Sequence, residues 1–129
     1  VDQKAAPAQV RGFDVSSDAS CVAIDSGLAS IVDCSATSRR AYGIAVSGQS
    51  GATLVDCHLA GNRKAAVAFM DAATGLVKRC AFEDNLHVGV LVRGEAHAQV
   101  AECTLKHTRM SAIWFRERAA GGVSSSVLE

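Results

Sequence analysis

Apolar and polar positions alternate over short stretches of this chain, and the alternation returns at a fixed interval. Cys34, Cys57, Cys80 and Cys103 stand 23 residues apart, and laying the chain in lines of that length aligns much more than cysteine. Lines open on Gly43 to Val46, Ala66 to Phe69, Gly89 to Val92 and Ala112 to Phe115, with Ser20 to Ala23 in the same frame one line earlier. Cys21, Ile44, Val67, Val90 and Ile113 then form one uncharged column, and Ala23, Val46, Phe69, Val92 and Phe115 form another two residues on. That spacing predicts a short strand with these two columns facing inward. Ile31, Leu54, Val77, Val100 and Val123 make a third apolar column, and Ala36, Leu59, Phe82, Leu105 and Leu128 a fourth, with the cysteines between them.

Two columns of a different character punctuate the lines. Ala29, Ala52, Gly75, Ala98 and Gly121 precede the third apolar column, where small residues predict a corner too tight for a side chain. Asn62 and Asn85 coincide after the fourth, where a residue tolerant of unusual dihedrals is expected. No segment has the length and period of an amphipathic helix, and the leucine-rich signature is missing, which removes helical and leucine-rich repeats. Three short strands per line remain, each stacking in parallel on its equivalent about 4.8 Å away.

The chain resembles the right-handed parallel β-helix family, with repeats like those of pectate-lyase-like proteins and their non-enzymatic relatives. Gly43 to Val46, Gly89 to Val92, Val55 to Leu59, Val100 to Leu105, Asn62 and Asn85 carry the resemblance. The fold expected is an all-β single-stranded right-handed helix of about five 23-residue coils over residues 20–129. Residues 1–19 are expected to be a flexible lead-in or a degenerate first coil, since Val10 to Ser16 copies Val55 to Gly61 with its frame off by about one residue.

Composition adds limits. The 129 residues form one domain, 49% hydrophobic, 20% charged and 5% aromatic, with no apolar run near the ~20 residues of a membrane span. Thirteen basic residues balance thirteen acidic ones, which argues against nucleic acid held by bulk charge. Five cysteines without metal-ligand spacing predict free thiols and no metal. The first residues show neither an initiator Met nor a secretory signal, so the chain reads as an excised piece or a mature form, with Leu128 and Glu129 as a cloning remnant. Free cysteines and the missing signal favour the cytoplasm; no cofactor is implied.

Four groups of residues are candidates for chemistry. The cysteine ladder points inward, where cysteine packs as a small, inert hydrophobe, and its parallel side chains are ill placed for disulfides. An outward column of Asp33, Asp56, Arg79 and Glu102, with His58 nearby, offers paired carboxylates for acid and base roles, as the resemblance to polysaccharide-degrading relatives implies. Equal line lengths provide no walls around it, and a solvated face is the plainer reading. Arg40, Arg63 and Arg109, beside Arg39, Lys64 and His107, form a basic corner suited to an acidic peptide, a phosphate or an acidic sugar. The four histidines occupy four different columns, against a shared metal site.

The fourth group is the outward side of the strand that opens each line. Val22, Ala45, Ala68, Leu91 and Trp114 are expected to form an exposed apolar strip, followed by Ile24, Ser47, Met70, Arg93 and Arg116. Apolar strips with Trp, Met and Arg suit the centre of a protein interface. The expected function is therefore a non-catalytic recognition or scaffold module, binding a protein or itself through Ile24, Met70, Leu91, Arg93, Trp114 and Arg116. The alternative is a carbohydrate-binding or polysaccharide-degrading domain using Asp33, Asp56, His58 and Arg79. Sugar sites place exposed aromatics beside carboxylates, whereas Trp114 and Tyr42 are expected to lie far apart, which favours the first reading.

Overall fold

The computed structural model describes residues 2–3, 8–106, 111–124 and 126–128. All described regular structure is β-strand, arranged in three parallel sheets of six strands each. The first sheet runs through Asp2–Gln3, Val22–Ile24, Ile44–Val46, Ala65–Phe69, Val88–Val92 and Ser111–Phe115. The second contains Ala8–Arg11, Leu28–Val32, Gly51–Val55, Thr74–Lys78, His97–Ala101 and Ala120–Ser124; the third contains Asp14–Ser17, Ser35–Ser38, His58–Ala60, Ala81–Glu83, Thr104–Lys106 and Val127–Leu128. The chain visits the sheets in rotation, so it winds as a β-solenoid of about five turns with its core inside the triangle.

From residue 44 onward the 23-residue frame holds. Val67 pairs with Ile44 and with Val90, Val77 with Leu54 and Val100, and Phe82 with Leu59 and Leu105. The inward columns are buried to 1% exposure or less at Ile44, Val46, Leu54, Leu59, Val67, Phe69, Val77, Phe82, Val90, Val92, Val100 and Leu105. The whole core is thus assembled from ladders in which each apolar side chain packs on its equivalents above and below.

The first turns are shorter, and this corrects two columns. Ala8 pairs with Ala29 and Val15 with Ala36, 21 residues apart, whereas Val22 pairs with Ile44 and Ile24 with Val46, 22 apart. One residue is missing from the corner before Val22 and another from the corner after Ile24, relative to the following coil. Because side chains alternate along a strand, a shift of one residue exchanges the faces. Val22 and Ile24, expected outside, are core residues at 4% and 1% exposure, while Ala23 pairs with Ala45 on the outer face. Cys21 lies beside Gly43 rather than in the Ile44 column, and remains buried.

The small column also has a different cause from the one expected. Ala29, Ala52, Gly75 and Ala98 lie inside strands of the second sheet, not at a corner. Their side of the strand faces the core, and a Cβ on Gly75 would overlap the Phe69 ring. Where the equivalent of Phe69 is Val46 or Val92, the partner position is Ala52 or Ala98. Phe115 recurs with Gly121, where φ is 148° and a Cβ would strike the Ala98 carbonyl. A large ring and a missing methyl exchange volume at nearly constant packing.

Asn62 and Asn85 occupy the expected corner for another reason too. Neither takes a positive φ; Gly61 and Asp84 just before them do, at 67° and 53°. The two amides are buried at 0% and 1% exposure and form a ladder. Asn85 Oδ1 accepts the Asn62 backbone N–H and Nδ2 at 3.0 Å each, and Asn62 Oδ1 accepts the Ser38 N–H at 2.7 Å. Asn62 Nδ2 donates to the Ala36 carbonyl and Asn85 Nδ2 to the Leu59 carbonyl, so both buried amides are hydrogen-bonded to the coil below.

The Phe69 and Gly75 exchange yields a stability cycle. Gly75→Ala is expected to cost about 1–3 kcal/mol by overpacking. The Phe69→Val/Gly75→Ala double variant, which copies the neighbouring coils, is expected to recover about 1 kcal/mol or more relative to the sum of the single changes. Urea unfolding of the four proteins measures this, and strict additivity would contradict the volume exchange.

Candidate functional site

Alternation along the first sheet puts Ala68, Leu91 and Trp114 in one outward column, paired in register across three coils. This column grows from a methyl to an indole. Ala65, Ala68, Val88 and Leu91 form a second apolar cluster outside the sheet, with Tyr42, Met70 and Trp114 packed against it. The strip is therefore less open than the sequence predicts: Ala68 is fully buried and Leu91 is 6% exposed. Met70 and Trp114 are half-buried, and Ile24 belongs to the interior.

The corner leading into this sheet supplies the opposite bank. Arg40 and Tyr42 precede Ile44–Val46, Arg63 and Lys64 precede Ala65–Phe69, and His87 precedes Val88–Val92. These residues, with Leu91, Arg93, Trp114 and Arg116, line a groove of about 360 Å³. Two groups that the sequence separates, the outward strip and the basic corner, thus share one recess. Tyr42 and Trp114, expected far apart, both line it; three turns of the solenoid bring them to the same face. Arg109 and His107 lie outside the described residues.

Charge distribution sets this groove apart. Arg40, Arg63, Lys64, Arg93 and Arg116 form no ion pair with a carboxylate among the described residues, whereas Arg39 pairs with Asp18, Arg79 with Asp56 and Arg118 with Glu95. Two of the groove cations lie over aromatic rings instead. The Arg116 guanidinium lies 4.7 Å from the centroid of Trp114, and the Lys64 ammonium 5.6 Å from that of Tyr42. His87 tilts against Trp114 with ring centroids 6.1 Å apart. Each ring attracts its cation through the negative face of its π-system, and fixes a charge that would otherwise wander in solvent.

The carboxylate candidates are arranged differently. Asp33, Asp56, Arg79 and Glu102 occupy the corner between the second and third sheets, each with φ between 52° and 57°. Left-handed backbone there turns the chain sharply, and the exposed side chains splay outward. Arg79 Nε donates to Asp56 Oδ1 at 3.0 Å, and Asp56 in turn pushes the guanidinium pKa up. His58 lies on the outer face of the third sheet, with Nε2 3.9 Å from Glu83. Asp56 and Arg79 are thus brought together as an ion pair, while His58 is turned toward a different carboxylate.

All five cysteines are free and buried. Cys57 Sγ and Cys103 Sγ approach carbonyl oxygens of Ile31 and Val77 at 3.5 Å. The thiols of Cys103 and Cys57 on either side, together with burial, push Cys80 above the ordinary thiol range; burial does the same for Cys21. Among the described residues no group of three or more His, Cys, Asp or Glu side chains is placed to hold a metal ion. No described helix is long and apolar enough to cross a membrane.

Winding, register and the three parallel sheets find their counterpart in a family model for the right handed beta helix region, which matches residues 1–128. The chain is a right-handed β-helix protein. The family resemblance read from the repeats thus holds across nearly the whole chain, and the fold is the right-handed parallel solenoid expected. No curated protein and no solved structure matches this sequence. The β-helix family contains enzymes and non-enzymes alike, so the reading of function rests on the residues of the groove and the corner.

Thiols enclosed in a packed core are out of reach of alkylating reagents while the fold stays closed. In the native β-helix none of the five cysteines is expected to be labelled by iodoacetamide in the time that all five react in urea. Mass spectrometry of pulse-labelled protein reads this, and rapid native labelling of any ladder cysteine would contradict the inward placement.

Proposed function

We propose that this β-helix is a non-catalytic recognition module that binds a partner through the outer face of the first sheet. One observation carries the reading: five cations without a carboxylate partner among the described residues, together with two aromatic rings, surround a recess with an apolar floor. Concentrating like charges on one bank costs repulsion, since equivalent residues of adjacent coils lie only about 4.8 Å apart at the backbone. A chain of zero net charge has enough acidic residues to neutralise them, yet Asp18, Asp56 and Glu95 pair with Arg39, Arg79 and Arg118 instead. Anchors of this kind, Trp114 and Arg116 above Leu91 and Met70, resemble the aromatic and arginine residues that dominate binding energy in protein interfaces.

The carbohydrate-active alternative draws on Asp33, Asp56, His58 and Arg79. An acid and base pair needs two groups free to exchange protons with substrate. Asp56 is engaged by Arg79 and His58 sits beside Glu83, which favours the recognition reading.

Recognition through this face predicts that a displayed random-peptide library enriches on the wild-type protein, or that light scattering detects its self-association. Trp114→Ala is expected to abolish whichever of the two is seen, with the unfolding midpoint little changed because the indole is half-exposed. Neither enrichment nor self-association, together with oligosaccharide binding that Asp56→Asn removes, would overturn the proposal in favour of the carbohydrate reading.

A further inference from the structure

Building on the recognition reading, we infer that the groove is a docking site for an acidic protein segment, with carboxylates read by cations that Trp114 and Tyr42 hold in place. The aromatic faces decide the class of ligand. Sugar rings and nucleobases are bound by stacking on open aromatic faces. Here Arg116 lies over Trp114, with His87 tilted against the same ring, and Lys64 lies over Tyr42. The rings therefore serve the cations, and the cations meet the ligand.

A guanidinium resting on an indole still presents N–H donors along its edge, in the fork that matches a carboxylate. Arg93 extends the Arg116 bank one coil back, and Arg40, Arg63 and Lys64 face them from the corner. Between the banks lies an apolar floor of Leu91 and Trp114, with Met70 packed against the same cluster. A ligand that fills this recess carries negative charge on both flanks and an apolar group at its centre. A polyphosphate has no such centre, whereas a polypeptide with alternating acidic and apolar side chains has both. From the coil of Arg40 and Tyr42 to that of Trp114 and Arg116 there are three coil steps of about 4.8 Å, roughly the length of four to five residues of extended chain.

The probe is a fluorescein-labelled peptide with glutamates flanking a central leucine, compared by fluorescence polarisation with its glutamine counterpart, with a neutral leucine-rich peptide and with an oligouronate. The glutamate peptide is expected to bind best, and to lose about tenfold in affinity with each of Arg93→Gln and Arg116→Gln, since charge-assisted contacts are removed. Affinity is also expected to fall steeply as salt rises. Trp114→Leu keeps an apolar side chain yet releases Arg116, and should weaken the glutamate peptide while leaving the neutral one unaffected. Circular dichroism melts of each variant verify that the solenoid is intact.

Equal binding of glutamate and glutamine peptides, or tighter binding of the oligouronate, would overturn the acidic-segment inference. If the neutral peptide binds in a manner dependent on Trp114, recognition by this face stands and its acidic preference is wrong. If no peptide binds and the protein does not self-associate, both fail.

Discussion

Parallel coils stacked in register at about 4.8 Å impose one rule on every position: a residue must tolerate its own equivalents directly above and below. Backbone hydrogen bonds between successive coils fix that register. Inside the triangle, uncharged columns satisfy the rule by packing. Cysteine suits it well, being small and apolar with a weak donor that can reach a carbonyl one coil away. At the corners, the amides of Asn62 and Asn85 satisfy it by donating and accepting along the stack.

The same rule leaves room for compensation within a coil. Phe69 fills space that Val46 and Val92 leave to Ala52 and Ala98, and Gly75 is the answer to that larger ring. Such exchanges keep the cross-section nearly constant, so the coils continue to stack without strain. Left-handed residues at the corner of Asp33, Asp56, Arg79 and Glu102 do the equivalent for the backbone, repeating one sharp bend in four successive coils. The side chains there are free to be charged, and Arg79 alternates in sign with its acidic neighbours.

On the outer face of the first sheet, stacking has the opposite electrostatic outcome. Cations from adjacent corners converge without an ion-paired carboxylate among the described residues, and aromatic rings hold two of them. Holding charge in a fixed position before a ligand arrives lowers the ordering cost of binding. An apolar floor under those charges gives the groove two different recognition elements in one small volume, a combination better matched by a polypeptide than by a uniform polyanion.

Periodicity alone was sufficient to identify the solenoid, its inward columns from Ile44 to Leu105 and the buried cysteine ladder, because strand alternation and coil stacking are both local, repeating rules. Arg93, Trp114 and Arg116 were legible as surface residues by the same reasoning. The faces of Val22 and Ile24 were not, because two corners each lost one residue and a period of two turns such a loss into a reversal. Nor did the columns show why Gly75 is small, since the ring that demands it comes from a strand of another sheet. Only the winding put Arg40 and Tyr42 on the same groove as Trp114, three coils away, and laid two cations on the rings. Local rules fix what each coil looks like; the angle and length of its corners decide which side chains meet.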